Sequence, residues 1–366
     1  MRELISGNEA MVKGAFAAGA DFYAGYPITP SSEIMEVLSK LMPKLGKKFV
    51  QMDDEIASIN AVIGAGSAGA LSFTATSGPG LSLMQEGIGY AAMAEIPCVI
   101  IDVQRGGPST GLPTKVSQAD VMQSRWGSHG DRPAVSISPS TVEESFYFTA
   151  KAFEISQRLR VPVIVLADEI VAHMREVVDL PEKVNIWKRE KPDIPPEHYL
   201  HYDDSNNFNA PYAAVGEGFK IHHTGLTHKP DGFPTNKLDV IKWKMNRLMD
   251  KINKNKDYLE KLQIYGDSSA SNVIVSFGSA ARTAMELVEE REDLFVVKLD
   301  IIWPFPDDKL KALLGGKKKI IVAEMNMGQI TEEIKRVLLR DDIKGAFRYD
   351  GELLSIEDIE EVLDNE

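Results

Sequence analysis

The chain reads as an α/β protein: a doubly wound parallel sheet in its first half, an irregular connector, and a smaller α/β unit at its end. Three observations carry this reading. Short β-rich runs alternate with longer helical runs from Asn8 to about Ala167, and such alternation implies a parallel sheet covered on both faces. Between about Asp179 and Ser271 no sustained period survives. From Asn272 the alternation resumes over roughly 95 residues, an ordinary domain size. The expected boundaries are therefore 1–178, 179–270 and 271–366.

In chain order, NEAMVKGAFAAG (8–19) is the first helix and DFYAGY (21–26) the first strand. In YPITPSSEI, Thr29 is the expected N-cap and Pro30 the first helical residue, a strong helix-start signal for PSSEIMEVLSKLM (30–42). The strand KFVQM (48–52) leads through Asp53, Asp54 and Glu55 into the helix at 55–70. LSFTAT (71–76) and the helix at 80–94 flank TSGPG. PCVIIDV (97–103) runs into QRGGPSTGLPTK, and AVSISP (134–139), the helix at 141–159 and VPVIVLA (161–167) complete the sheet. The connector is rich in Pro, Gly, Asn and His, too long for a loop inside a compact domain, and is expected to wrap a partner. KLDVIKWKMNRLMDKINKNKDYLEKL (237–262) reads as one long exposed helix. NVIVSF, LFVVKLDIIWPFP and KKIIVAEMNMGQ supply the strands of the last unit.

Composition narrows the function. The 366 residues are 43% apolar, with no run near the roughly 20 residues a bilayer span requires. The start MRELISGNEA lacks a basic segment followed by an apolar one, so a cytoplasmic protein is expected. A net charge of −13 without a Lys/Arg stripe argues against nucleic acid as the main partner. The single cysteine, Cys98, sits in an apolar run and reads as a small buried hydrophobe. One cysteine holds no iron–sulfur cluster, so any electron carriers belong to another chain.

Ligands of open α/β sheets lie beyond the carboxyl ends of the strands. Four motifs fall at such turns: YPITPSS, DDE, TSGPG and QRGGPSTG. Ser31 and Ser32 beside Thr29 suit a carboxylate at a helix start, although good capping explains them equally well. Asp53 and Asp54 suit the helix dipole, whereas Glu55 stands among Ile56, Ala57 and Ile59. Apolar surroundings raise a carboxyl's proton affinity, which acid–base catalysis needs. Arg105 ends an apolar strand before two glycines, where its fork can clamp a small anion, and Thr114 and Lys115 extend that loop. Gly64, Gly66 and Gly69 match GxGxxG but close a helix rather than open one, so they are read as packing residues. Five of seven histidines fall in the connector without metal-site spacing; His129 reads as a turn residue.

Taken together, GYPITPSSEI, MDDEIASINAVIGAGSAGA, FTATSGPGLSLMQE, AEIPCVIIDVQRGGPSTGLPTK and EMNMGQ resemble the α subunit of 2-oxoacid:ferredoxin oxidoreductases, most closely the 2-oxoglutarate branch. The resemblance spans essentially the whole chain. It implies a pyrimidine-binding thiamine-enzyme sheet followed by a unit of transketolase C-terminal type. It implies thiamine diphosphate shared with a β subunit, which holds the diphosphate, the magnesium and the iron–sulfur cluster. It places the pyrimidine-binding glutamate at Glu55, with Tyr26, Pro27, Ser77 and Gly78 around the cofactor. Thr29 contacts the oxo acid, Arg105 its carboxylate, and Thr114 the far end of the substrate.

The diphosphate signature GDG with paired asparagines is missing, since Gly266-Asp267 leads into Ser-Ser-Ala-Ser-Asn. The chain is therefore expected to supply half of an active site in an αβ or (αβ)2 enzyme. That enzyme decarboxylates 2-oxoglutarate oxidatively to succinyl-CoA, with coenzyme A and ferredoxin as co-reactants. Branched-chain 2-oxo acids and pyruvate are the alternative substrates. Thiamine enzymes of transketolase or decarboxylase type and a non-enzymatic anion-binding regulator are the rival classes.

Overall fold

The structure, a computed structural model, describes residues 2–203 and 211–364. The chain opens with β1 (Glu3–Ser6) and α1 (Gly7–Ala18), joined by a reciprocal cap: Ser6 Oγ accepts from Glu9 N while Ser6 N donates to Glu9 Oε2. Next come β2 (Phe22–Gly25), α2 (Ser32–Leu41), β3 (Lys48–Gln51), α3 (Glu55–Ser67), β4 (Ser72–Thr76) and α4 (Gly78–Met93). β5 (Cys98–Gly106) turns back into the hairpin strand β6 (Leu112–Val116), and α5 (Val121–Trp126) follows. β7 (Val135–Ile137), α6 (Val142–Leu159), β8 (Pro162–Asp168), α7 (Glu169–His173) and β9 (Arg175–Val178) close the first half.

The main sheet begins β3-β2-β4-β5-β8-β7, all parallel. Its order reverses between β2 and β4, because β2 leads to β3 on one side while β4 lies on the other. Such a reversal opens a crevice at the carboxyl ends of the strands. β5 and β8 are buried along their whole length, as a strand covered on both faces must be, and Cys98 is buried at the start of β5. Among the described residues β1 pairs only with β9, antiparallel, outside this sheet.

After residue 178 the chain carries α8 (Leu238–Asn253), α9 (Lys256–Leu259) and β10 (Leu262–Tyr265). Then follow β11 (Asn272–Ser276), α10 (Gly278–Glu290), β12 (Leu294–Leu299), β13 (Ile301–Trp303), α11 (Asp307–Leu314), β14 (Lys319–Glu324), α12 (Gln329–Leu338), β15 (Lys344–Phe347) and α13 (Ile356–Asp364). The second sheet runs β10-β12-β11-β14-β15, parallel except for β10 at its edge.

Three sequence expectations change. The segment LFVVKLDIIWPFP divides at Asp300: β12 stays in the second sheet, while β13 pairs antiparallel with β7 and extends the first. The helix at 237–262 breaks near Asn253 and Asn255, which favour turns over helix interiors. Nor is it exposed. Lys244, Arg247 and Lys251 are buried around Glu95, whose carboxylate accepts from Lys244 Nζ at 2.7 Å, Arg247 Nε at 2.8 Å and Lys251 Nζ at 3.0 Å. Parts of the connector also pack on their own chain: Tyr202 and Tyr212 are buried, Tyr202 donates to Ala94 O, and Arg160 donates to His201 O.

Candidate active site

The turns after β2, β4 and β5 meet at one crevice. The expected helix start at Thr29 moves. α2 begins at Ser32 with Ser31 at the N-cap, and the Ser31 hydroxyl donates back to Ile28 O at 2.8 Å instead of capping the helix. Thr29 lies in the preceding turn, exposed, joined to Pro30 by a cis peptide. Tyr26 and Pro27 are exposed at the end of β2. At α3 the reading of the acidic triplet holds: Asp54 is the N-cap, its carboxylate accepting from Ala57 N at 2.7 Å, and Glu55 turns inward with 5% exposure. Burial holds the Glu55 carboxyl above its usual range; Asp54 pushes the same way and Arg105 opposes.

The GPG turn opening α4 explains how Glu55 is approached. A Cβ on Gly80 would lie 2.1 Å from Thr76 Oγ1 and 2.6 Å from Glu55 Oε1, so only glycine lets the helix backbone pass so close. Ser77 at the N-cap is fully buried, yet its hydroxyl caps nothing and has no partner among the described residues. A buried polar atom without a partner is costly, and Ser77 stands next to Gly78 of the cavity lining.

Arg105 ends β5 with 8% exposure. Its fork is already engaged: Nη1 donates to Thr29 O at 2.7 Å and Nη2 to Thr110 O at 2.9 Å, while Nε has no partner among the described residues. The guanidinium thus ties the first turn to the QRGGPSTG loop and keeps spare N–H groups for an anion. Thr114 behaves differently. β5 pairs Arg105 with Val116 and then Gly106 with Leu112, so residues 113–115 bulge out of the ladder. Thr114 sits in that bulge, exposed, outside the set of residues lining the cavity, and Lys115 is held outward by Glu352 at 2.5 Å.

A cavity of about 660 Å³ lies against Arg105, Gly78, Pro79, Ser82, Asp120 and Gln123. Its far wall comes from the second unit, through Asn326, Met327, Gln329 and Tyr349. Gln118 pins the wall in place: its Nε2 donates to Asp168 Oδ2 at 3.0 Å and Phe277 O at 2.9 Å, and its Oε1 accepts from Met325 N at 3.1 Å. Asn326 Nδ2 donates to Gln118 O, and Gln329 Nε2 to Ala119 O. Glu324, buried, fixes the start of α12 by accepting from Ile330 N and Thr331 N. Sequence reading singled out EMNMGQ without giving it a role. It missed Asp120, Gln118 and Gly80; the glycine pair in TSGPG was the one local signal.

A family model described as pyruvate flavodoxin/ferredoxin oxidoreductase, thiamine diphosphate-binding, matches residues 13–247. A second, for pyruvate:ferredoxin oxidoreductase core domain II, matches residues 270–359. The chain is 46% identical over 364 residues to 2-oxoglutarate synthase subunit KorA of Methanocaldococcus jannaschii, covering 98% of each. Among solved structures, 2-oxoglutarate:ferredoxin oxidoreductase from Magnetococcus marinus, with 2-oxoglutarate, coenzyme A and succinyl-CoA bound, superposes with a TM-score of 0.94 at 32% identity. That match covers 99% of this chain and 65% of the other, so this chain spans about two thirds of that protein's length. A split-gene transketolase, at TM-score 0.59 and 13% identity over 98% of this chain and 97% of its own, shares the fold.

Proposed function

The chain belongs to the pyruvate flavodoxin/ferredoxin oxidoreductase family, and on that premise we propose that it is the α subunit of a 2-oxoglutarate:ferredoxin oxidoreductase. Such an enzyme converts 2-oxoglutarate and coenzyme A to succinyl-CoA and carbon dioxide while reducing ferredoxin. The observation that carries the reading is that Arg105 lines the cavity while Glu55 lies close enough to act on it, packed against Gly80 of the GPG turn, within a chain related along its whole length to 2-oxoglutarate synthase subunits.

The residues present fit the pyrimidine half of thiamine diphosphate. Glu55 is a buried carboxyl that favours its proton, Ser77 offers a buried unpartnered hydroxyl, and Gly80 leaves a cradle that any Cβ would fill. Tyr26, Pro27, Ser77 and Gly78 would hold the ring, and Glu55 would hold a proton at its carboxyl against a ring nitrogen. When bound, the cofactor supplies the electron sink into which the bond to carbon dioxide can break. Arg105 grips the substrate carboxylate and fixes its orientation, with Thr29 brought to the oxo acid by the same guanidinium. Thr114, in the exposed bulge, is assigned to the outer end of the substrate, where closure by another chain would be needed.

We assign the diphosphate, magnesium and iron–sulfur sites to a β subunit, in an αβ or (αβ)2 assembly in the cytoplasm. Exposed Leu112, Met327 and Tyr349 on the cavity lining form an apolar rim suited to such a subunit. Residues 1–178 would form the pyrimidine-binding domain, 179–270 the connector, and 271–366 the transketolase-type C-terminal domain.

The test is assay of the chain reconstituted with its partner on 2-oxoglutarate, pyruvate and 2-oxoisovalerate, following coenzyme A-dependent reduction of ferredoxin. Preference for 2-oxoglutarate is expected. No turnover of any 2-oxo acid would overturn the proposal, and preference for another would reassign the substrate.

A further inference from the structure

The turn that carries Thr29 is clamped at two consecutive carbonyls. Arg105 Nη1 donates to Thr29 O at 2.7 Å, and Asn8 Nδ2 donates to Pro30 O at 3.1 Å. Asn8 lies in the first turn of α1 and is fully buried. Its amide nitrogen carries two protons, and the second goes to Glu33 Oε2, also at 3.1 Å, in the first turn of α2. Reversing the amide would set its oxygen against two acceptors, so its partners fix its orientation. Gly7 seats this corner: a Cβ there would lie 2.0 Å from Val171 O, so only glycine lets the start of α1 rest directly on α7.

Glu33 is held from its other side by α7. His173 Nε2 lies 3.4 Å from Glu33 Oε1, and His173 Nδ1 lies 2.9 Å from Glu169 Oε1. Both ring nitrogens therefore face carboxylate oxygens. A neutral imidazole has one N–H, so only the protonated ring serves both. The hydrogen bond to Glu169 holds the imidazole above its ordinary range; burial opposes, and Glu33 adds to the rise. On the neighbouring elements, Glu9 of α1 pairs with Arg175 of β9 at 3.7 Å, Lys13 of α1 with Glu3 of β1 at 2.8 Å, Glu176 of β9 with Arg282 of α10 at 2.8 Å, and Glu144 of α6 with Lys298 at 2.8 Å. Lys115 of β6 is acted on by Glu169 as well as by Glu352.

Resting on the reading of Thr29 and Arg105 as substrate contacts, we infer that Asn8 is a positioning residue for the 2-oxo acid: it holds the Thr29 turn in reach of Arg105, and protonated His173 steadies it through Glu33. Arg105 holds one carbonyl of the turn and Asn8 the next. Without Asn8, the turn hangs on the guanidinium that must also grip the substrate. With His173 protonated, Glu33 is fixed and keeps the Asn8 amide aimed at Pro30. With His173 neutral, one of its two carboxylates loses its donor, and Glu33, at the longer distance, is the one released. Substrate affinity therefore falls as pH rises through the titration of His173. No bond to carbon is made or broken by these groups; His173 exchanges one proton with solvent.

The test uses the reconstituted enzyme and 2-oxoglutarate between pH 6 and 9. Asn8→Ala should raise KM about tenfold, the order expected for two lost hydrogen bonds, with kcat moving less. The wild type should show KM rising about threefold across the range, the size of a half-exposed ion pair. His173→Gln should lack that rise and sit at the high-pH KM throughout. The rise should vanish in Asn8→Ala too, and adding His173→Gln to it should change nothing further, because the two act in series. Independent structural damage would add in the double variant. If Asn8→Ala does not fold, Glu33→Gln decides, and should abolish the KM rise from a half-exposed position. A second readout needs no turnover: in the full chain with labelled histidines, the His173 NMR titration should lie above the ordinary imidazole range and move down in Glu33→Gln. Asn8→Ala at the wild-type KM, a wild-type KM flat with pH, a rise that survives His173→Gln or Glu33→Gln, or a His173 titration indifferent to Glu33→Gln would each overturn the inference. A wild type inactive on every 2-oxo acid would instead sink the functional reading, with the NMR titration still deciding whether His173 holds Glu33.

Discussion

Glu95 offers the largest single perturbation of stability in the chain. Its carboxylate, fully buried, accepts four charge-assisted hydrogen bonds: from Lys244 Nζ at 2.7 Å, Arg247 Nε at 2.8 Å, Arg247 Nη2 at 3.0 Å and Lys251 Nζ at 3.0 Å. Arg160 stands close enough to act on it as well. Desolvation alone would raise this acid, but the surrounding cations win and hold it well below the usual carboxylate range. Glu95→Gln keeps the shape, removes the charge, and leaves a nest of buried cations uncompensated. Breaking a buried pair from one side costs about 3–5 kcal/mol, so urea denaturation of the full chain at pH 7 should show a loss of that size. The sign of the pH dependence is fixed by the lysines. Burial brings Lys251 down to about 7 and Lys244 to about 8, so both can shed protons in mild base, whereas the arginines cannot. The loss should therefore be smaller at pH 9 than at pH 6. Adding Lys251→Met should recover part of it. As a control, Glu332→Gln, which breaks an exposed pair with Lys335, should cost under about 1 kcal/mol. A loss below about 1 kcal/mol for Glu95→Gln, or one independent of pH, would refute the reasoning.

Four further outcomes follow from the site. In the reconstituted enzyme, Glu55→Gln should lower turnover at least about 10²-fold, the lower end for a positioned acid–base group, with the urea midpoint little changed; an unchanged rate would reduce Glu55 to a helix-start residue. Arg105→Lys keeps the charge but loses the fork that joins Thr29 O to Thr110 O, and should raise KM for every 2-oxo acid by about 1.5–3 kcal/mol of binding. Steady-state kinetics showing a loss confined to 2-oxoglutarate would move Arg105 to the distal carboxylate. Gly80→Ala should cost activity comparably to Glu55→Gln, because its methyl group would occupy the space beside Glu55 Oε1; wild-type rates would show that the turn yields freely. Calorimetry of the isolated chain should detect no tight thiamine diphosphate binding with magnesium, and micromolar or tighter affinity would contradict a diphosphate site on another chain.

Much of the main sheet was legible because its signals are local. β5 and β8 are mostly apolar, as parallel strands buried on both faces tend to be, and Asp54 announces the start of α3 by its cap. Glu55 and Arg105 stood out for the same reason, each being a charged residue at an element boundary with apolar neighbours. What stayed hidden depends on distant partners. The cations of α8 look like a solvated face until Glu95, about 150 positions earlier, is seen among them. Ile301–Trp303 carry the same β-forming character as the strand before them, and nothing local says that they join the other sheet. Thr29 followed by proline is a sound capping signal, yet the Arg105 guanidinium holds its carbonyl and the helix waits for Ser32.

The same dependence explains why the active-site reading stopped where it did. Asp102 and Asp120 lie 18 positions apart on different elements, and either alone reads as a strand-end or helix-start acid. Only in the fold does Asp102 turn out fully buried while Asp120 stands on the cavity lining against Gly78. Glu55 could be found from its neighbours in sequence, whereas the place of Asp120 on the cavity lining could be found only from its neighbours in space. Residues that touch the reacting groups tend to sit at recognisable turns, because strand ends put them there. Residues that build the cavity wall from other elements, such as Gln118 and Asn326, carry no such address.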